Sequence, residues 1–413
     1  MVNSPKSWRK ACVAVAVGAA LVIPVTAGGA YGAPTPDPSG SVSPSPSSTF
    51  PTLDASISAR LDTAIQQVMR EAAIPGVTVS VSAPDKGTYL RTFGVADKST
   101  GAPMEADMNM RIGSETKTFT VTALLQLVDQ GKAGLDDTID KYIDGVPNGN
   151  RITLRQLAGM RSGLFNYTMD DDFEKAFLTD PRKPFTPQQL LDYSFKHPVN
   201  FQPGAEFEYS NTNLILLGLV VEKQSGMPLQ NFISQNITRP TKLRNTFLAT
   251  DATFPNPHAQ GYTNQTADGK IANSTDWDPS WAWAAGAVIS NLQDLRSWAR
   301  ILATGSLLEP ATQAQRLDTA PTTIPGASYG LGIFNVQGWI GHNGSLPGYE
   351  SLTIYLPEAE ATVVVLLNTD VLDNNQEPST LLGQAITRIV TPNHVYNLPV
   401  VPARPTSSAT PAP

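Results

Sequence analysis

Ser114-Glu115-Thr116-Lys117-Thr118-Phe119-Thr120-Val121-Thr122-Ala123-Leu124-Leu125-Gln126-Leu127-Val128-Asp129 is the stretch from which this chain is best read. From Thr118 to Asp129, Val121, Leu124, Leu125 and Val128 recur at the three- and four-residue spacing of one helix face. Lys117 precedes Val121 by four residues and Leu124 by seven, so it shares that apolar stripe. An amine on such a stripe loses water, which favours the neutral form that accepts protons. Ser114 lies one turn earlier, after Gly113. A serine and a lysine so placed form a nucleophile and its base without a histidine, the arrangement of an acyl-transferring serine hydrolase. The competing reading is an N-cap serine followed by a solvated first-turn lysine. The four-residue pattern is short and also occurs at Ser7-Trp8-Arg9-Lys10, so the apolar context of Lys117 carries the argument.

Two downstream segments supply what the pair lacks, a proton relay and an oxyanion donor. Gln202-Pro203-Gly204-Ala205-Glu206-Phe207-Glu208-Tyr209-Ser210-Asn211-Thr212-Asn213 is a turn running into the apolar helix of residues 214 to 221. Tyr209 and Asn211, at a loop-helix junction, can point into a cleft; the alternative for Tyr209 is a packed tyrosine with one hydrogen bond. Tyr262-Thr263-Asn264 repeats the same short pattern. Gly341-His342-Asn343-Gly344-Ser345-Leu346-Pro347-Gly348-Tyr349 is read as leaving a strand. Gly344 would admit a substrate backbone at close range, and the Ser345 N–H could face the cleft as an oxyanion donor. The bland reading of His342 is a half-exposed strand-end histidine, and His197, His258 and His394 take that reading.

Working outward, residues 55 to 72 have helical apolar spacing. Residues 76 to 82 and 88 to 95 are strands joined across Pro84-Asp85-Lys86-Gly87. Ser114 to about Arg300 is mostly helical pattern broken by Pro, Gly and Asn. Strands are predicted at 330–336, 339–341, 351–355 and 361–367, and a closing helix at 379–389. This order predicts a mixed α/β (α+β) fold: one antiparallel sheet built from both chain ends, a helical insert between them, and a site in the intervening cleft.

The chain has 413 residues and a formal charge of −7, with no Lys/Arg cluster, which excludes nucleic acid and anionic membrane as expected partners. Residues 1 to 32 have the three-part order of a secretory signal peptide: Lys6, Arg9 and Lys10, an apolar run from Ala11 to about Thr26, then small residues to Ala33. An uncleaved N-terminal anchor is the competing reading. Residues 33 to 51, Pro/Ser-rich, read as a linker, residues 52 to 397 as the folded hydrolase domain, and residues 398 to 413 as a tail. The only cysteine, Cys12, precedes the apolar run, so no disulfide is expected in the exported chain. Four scattered histidines show no metal-ligand spacing, and neither metal nor cofactor is expected.

Ser-x-x-Lys at 114, Tyr-x-Asn at 209 and His-x-Gly at 342, in that order, resemble the three elements of the penicillin-recognising serine hydrolases. The likeness is nearest to secreted actinomycete-type D-Ala-D-Ala carboxypeptidases, with class C β-lactamases more distant. It covers about residues 55 to 390, including Arg155-Gln156-Leu157, Ser162-Gly163-Leu164 and Ala285-Gly286-Ala287. The resemblance implies a β-lactamase-like fold and an acyl-enzyme on Ser114, with Lys117 and Tyr209 sharing the general base. Tyr209 would protonate the leaving group, His342 would sit behind it tuning its pKa, and Asn211 would orient the substrate amide. The N–H groups of Ser114 and Ser345 would form the oxyanion hole, and Asn343, Gly344 and Ser345 would contact substrate. The implied substrates are peptidoglycan stem peptides, with esters and β-lactams as near alternatives, or a penicillin-binding sensor without turnover. Two departures stand out: Phe334 follows Tyr329-Gly330-Leu331-Gly332-Ile333 where relatives carry an arginine for the substrate carboxylate, and Asn343 replaces a hydroxyl residue. Trp277, Trp281 and Trp283 precede Ala285-Gly286-Ala287 and read as core or as an acyl pocket, with Trp283 expected against substrate.

Overall fold

The computed structural model describes residues 50–398. The signal peptide, nearly all of the linker and the tail expected from the sequence lie outside the described residues.

A nine-stranded antiparallel sheet forms the frame. Its strands are β1 (Gly76–Ala83), β2 (Gly87–Asp97), β3 (Ala102–Pro103), β4 (Ala320–Pro321), β5 (Ala327–Tyr329), β6 (Phe334–Val336), β7 (Trp339–Leu346), β8 (Tyr349–Leu356) and β9 (Ala361–Leu367). They run β3-β2-β1-β9-β8-β7-β6-β5-β4, so the first strands pair with the last through β1 and β9. Val77, Val79 and Val81 of β1, and every residue of β8 and β9, are buried. Central strands covered on both faces read as continuous apolar runs, here rich in β-branched residues.

Alternation along β8 sorts the two covers. On one face Leu352 lies where a Cβ on Gly383 of the C-terminal helix α5 (Pro378–Val390) would meet it, and α5 packs against α1 (Ala55–Glu71). On the other, Tyr355 packs against Ala299 and Ala303 of α4 (Leu292–Thr304), and Ser351 Oγ donates to Ile112 O at 2.9 Å. That second face carries α2 (Thr116–Asp129), entered by a 3₁₀ turn at Gly113–Glu115, and α3 (Asn211–Ser225), which packs on α2. The helical insert therefore runs between β3 and β4, and the expected architecture is what forms.

Two strand expectations are corrected. Residues 330–336 are not one strand: Gly330 N–H donates to Ile333 O at 2.9 Å, and Gly332, at φ +70°, turns the chain between β5 and β6. A Cβ on Gly332 would lie 2.7 Å from Val121 Cγ2, so the turn is pressed onto α2. The His342 segment does not leave a strand; it lies inside β7, paired residue for residue with β8 from Ile340 to Leu346.

Candidate active site

The Ser114 turn is buried by sequence on every side. Eleven of the α2 residues are buried, including Thr116, Lys117, Thr118 and Thr120, and threonine hydroxyls satisfy the backbone they reach: Thr120 Oγ1 donates to Ala284 O at 2.7 Å and Thr116 Oγ1 accepts from Val288 N–H at 2.9 Å. Lys117 is 0% exposed. Its Nζ lies 2.9 Å from Ser114 Oγ, donates to Ala285 O at 2.8 Å, and sits 4.8 Å from the centre of the Tyr209 ring. Ala285-Gly286-Ala287 thus holds the lysine from the far side.

Tyr209 is half-buried and shares a hydrogen bond with the Ser114 hydroxyl. Burial pushes its phenol well above the ordinary range, the Ser114 hydrogen bond opposes that, and the Glu377 charge adds to it. Asn211 opens α3, its N–H donating to Asn166 Oδ1 at 3.1 Å. The following turn is anchored by Asn213, whose Oδ1 accepts from Ser162 Oγ at 2.7 Å while its Nδ2 donates to Leu157 O at 3.2 Å. Ser162-Gly163-Leu164 and Tyr209-Ser210-Asn211 are in this way one unit.

Two facing glycines bring β7 onto the nucleophile turn. A Cβ on Gly113 would come within 2.6 Å of Ser345 N, and one on Gly344 within 1.9 Å of Ile112 O. Backbones approach this closely only where no side chain intervenes, and the approach sets the Ser345 amide beside Ser114. One cavity is lined by Ser114, Tyr209, Asn211, Phe334, Asn343, Gly344, Ser345, by Trp281 of the tryptophan cluster and, from residues given no role in the sequence, by Gln265, Leu346, Pro347 and Glu377.

Two expectations change here. Trp283 is not among the lining residues; its ring fills the space over Gly218 of α3, where a Cβ would lie 2.9 Å from Cζ3, and Trp281 lines the cavity instead. His342 is 2% exposed and does not hydrogen-bond Tyr209; the ring centres are 6.2 Å apart. Its Nδ1–H donates to Asn343 O at 2.5 Å, so Nε2 accepts from the Tyr329 hydroxyl at 3.2 Å. Burial, then the Lys117 charge, push His342 down to about 3. A histidine this far below neutrality is uncharged throughout the physiological range, a hydrogen-bonded support rather than a titrating relay. Tyr329 was missed because a tyrosine in a short strand carries no local mark of a buried partner. Glu377 precedes a proline at a helix start and looks like a surface N-terminus.

The chain matches the Beta-lactamase family over residues 61–385 and belongs to it. Among solved structures it is similar to a D-stereospecific amidohydrolase from Streptomyces sp., with a TM-score of 0.72 and 29% identity over 80% of this chain and 98% of that one. It is also similar to the D-amino acid amidase of Ochrobactrum anthropi SV3 complexed with L-phenylalanine amide, with a TM-score of 0.69 and 29% identity over 79% and 99% of the two chains. Esterase EstB of Burkholderia gladioli is 28% identical over 201 residues, 46% of this chain and 51% of that protein. The chain spans 70% of the length of a putative penicillin-binding protein of Bacillus subtilis and 62% of that of protein flp of Staphylococcus aureus, to which it is 25% and 24% identical. It therefore belongs to the β-lactamase-fold family of serine hydrolases, in which its likenesses include amidases and an esterase.

Proposed function

We propose that this protein hydrolyses amide bonds of small amino-acyl or peptide substrates through an acyl-enzyme on Ser114. The observation that carries this reading is the buried Lys117 amine 2.9 Å from Ser114 Oγ, with the Tyr209 phenol on the same hydroxyl. Ser114 Oγ attacks the scissile carbonyl as its proton passes to the Lys117–Tyr209 pair. The carbonyl oxygen, now an anion, is held by the N–H groups of Ser114 and Ser345, a role supported by the close approach of the Gly113 and Gly344 backbones. Collapse breaks the C–N bond, the leaving amine takes the proton from Tyr209, and water repeats the sequence on the ester.

A D-Ala-D-Ala carboxypeptidase on peptidoglycan stem peptides is the narrower form that the motif resemblance favours. Phe334 in the cavity weighs against it, since a terminal carboxylate needs a cation and, among the described residues, no lysine, arginine or histidine lines the cavity. The amidohydrolase and amidase likenesses support amide substrates, and the EstB likeness supports testing esters. Export is the reading supported by the order of residues 1 to 32.

The test measures three releases by the purified protein beside Ser114→Ala: ammonia from D-alaninamide, D-alanine from a diacyl-L-Lys-D-Ala-D-Ala peptide, and nitrophenol from an ester. Amide turnover should fall about 10³-fold or more in the variant with its melting temperature unchanged. Equal turnover by both proteins would refute the mechanism, and a single stoichiometric burst without turnover would mark an acylated sensor instead.

A further inference from the structure

Glu377 is the only acidic or basic side chain, among the described residues, that lines the cavity. It is the N-cap residue of α5, yet its side chain does not cap the helix. Glu350 does so from β8: its Oε2 accepts from Ser379 N–H at 2.8 Å, while its Oε1 is buried without a partner. Glu377 is thereby released to the cavity, where its Oε2 accepts from Asn343 Nδ2 at 2.6 Å. Its other oxygen meets no protein donor, and no lysine, arginine or histidine pairs with either carboxylate among the described residues.

A carboxylate withdrawn from water without a cation is costly to ionise, and the cost is recovered when a cation arrives. The cavity is where substrate binds, so substrate is the available source. A substrate carboxylate would meet both Phe334 and the Glu377 charge, one offering nothing and the other repulsion. We propose that Glu377, oriented by Asn343, receives a positively charged amino group of the substrate, so that this site takes amides, peptides or esters bearing a free ammonium close to the scissile carbonyl. The proposal rests on the acyl-enzyme reading above and names its substrate class.

The same contact reaches the chemistry. The Glu377 charge is one of the groups that raise the Tyr209 phenol, so an ammonium on Glu377 relieves that field and eases proton transfer to and from Tyr209. Burial lifts Glu377 to about 7 against the Asn343 hydrogen bond. Preference for amino-bearing substrates should therefore develop as pH rises through that value, and fade as the substrate amine, with a pKa of about 8, loses its proton.

The experiment compares D-alanine p-nitroanilide with its N-acetyl derivative in wild type, Glu377→Gln and Ser114→Ala. Glutamine keeps the oxygen that accepts from Asn343 and removes only the charge. The ratio of kcat/KM values, free amine over N-acetyl, should fall about 30-fold in Glu377→Gln. An unchanged ratio, with both substrates still cleaved in a Ser114-dependent manner, would overturn the ammonium site and leave the hydrolase standing. No Ser114-dependent cleavage of either substrate would overturn the hydrolase reading. Calorimetry of D-alaninamide binding to Ser114→Ala and to Ser114→Ala/Glu377→Gln decides the ammonium site without turnover: equal affinity for both refutes it.

Discussion

Lys117 and Glu115 stand two residues apart on one turn, both almost wholly inaccessible, and the protein treats their charges in opposite ways. Lys117 faces the site and meets Ser114 Oγ, Ala285 O and the Tyr209 ring. Glu115 faces the sheet, where both its carboxyl oxygens are buried without a hydrogen-bond partner, and burial pushes it up to about 8. The site side of the turn is built around a working amine, the sheet side around a carboxyl kept protonated at neutral pH. Position on a turn, more than residue type, decides which charge is used.

The contrast can be broken most directly at Tyr209. Tyr209→Phe keeps the ring over Lys117 and removes the hydroxyl on Ser114; kcat for amide substrates should fall about 10²- to 10³-fold with little change in melting temperature. A fall under about threefold would assign the whole proton route to Lys117. Gly344→Ala tests how the two walls meet. Its Cβ would fall 1.9 Å from Ile112 O and 2.8 Å from Ser351 Oγ, so β7 must back away from the turn. Denaturant titration should read a loss of about 1–3 kcal/mol, and kcat should drop alongside it. Unchanged kcat would remove Ser345 from the oxyanion hole.

Glu115→Gln sharpens the sheet side. The folded carboxyl has a raised pKa, so between its ordinary value near 4.5 and about 8 the unfolded chain releases a proton that the folded chain keeps. Stability from this group is whole below that window and is lost as pH rises through it. The variant should gain on the order of 2 kcal/mol over wild type at pH 8.5 and almost nothing at pH 4, read by thermal melts at both values. A gain equal at both pH values would mean that packing, not ionisation, separates the two proteins.

Much of the fold was legible because it is periodic. The helix over residues 55 to 72, the hairpin that follows, the strand at 361–367 and the closing helix fall within a few residues of where spacing and turn residues place them. The strand predicted at 330–336 failed because apolar content on both sides of Gly332 hides a turn, which Gly332 makes at positive φ while packed against Val121 of α2. In the site, Ser114, Tyr209, Asn211, Phe334, Asn343, Gly344 and Ser345 line one cavity, while Trp283 and His342 do not. Aromatic rings clustered in sequence leave open which of them turns outward, since one residue along a turn rotates a side chain by about 100°. Glu377 was invisible because its distinction is an absence of partners, which only neighbours in space define.

The sequence by itself determined the nucleophile and its base, because Ser114 and Lys117 are joined by a single helical turn whose geometry any helix supplies. It also determined the sheet from both chain ends, because alternation and apolar runs select a fold class. Tertiary structure alone decided that His342 bonds Tyr329 and not Tyr209, that Trp281 lines the cavity, and that Glu377 faces it while Glu350 caps the helix. Each of these depends on how two elements distant in the chain are packed, a matter of ångströms set by facing glycines and side-chain volumes. Local periodicity carries no record of such distances.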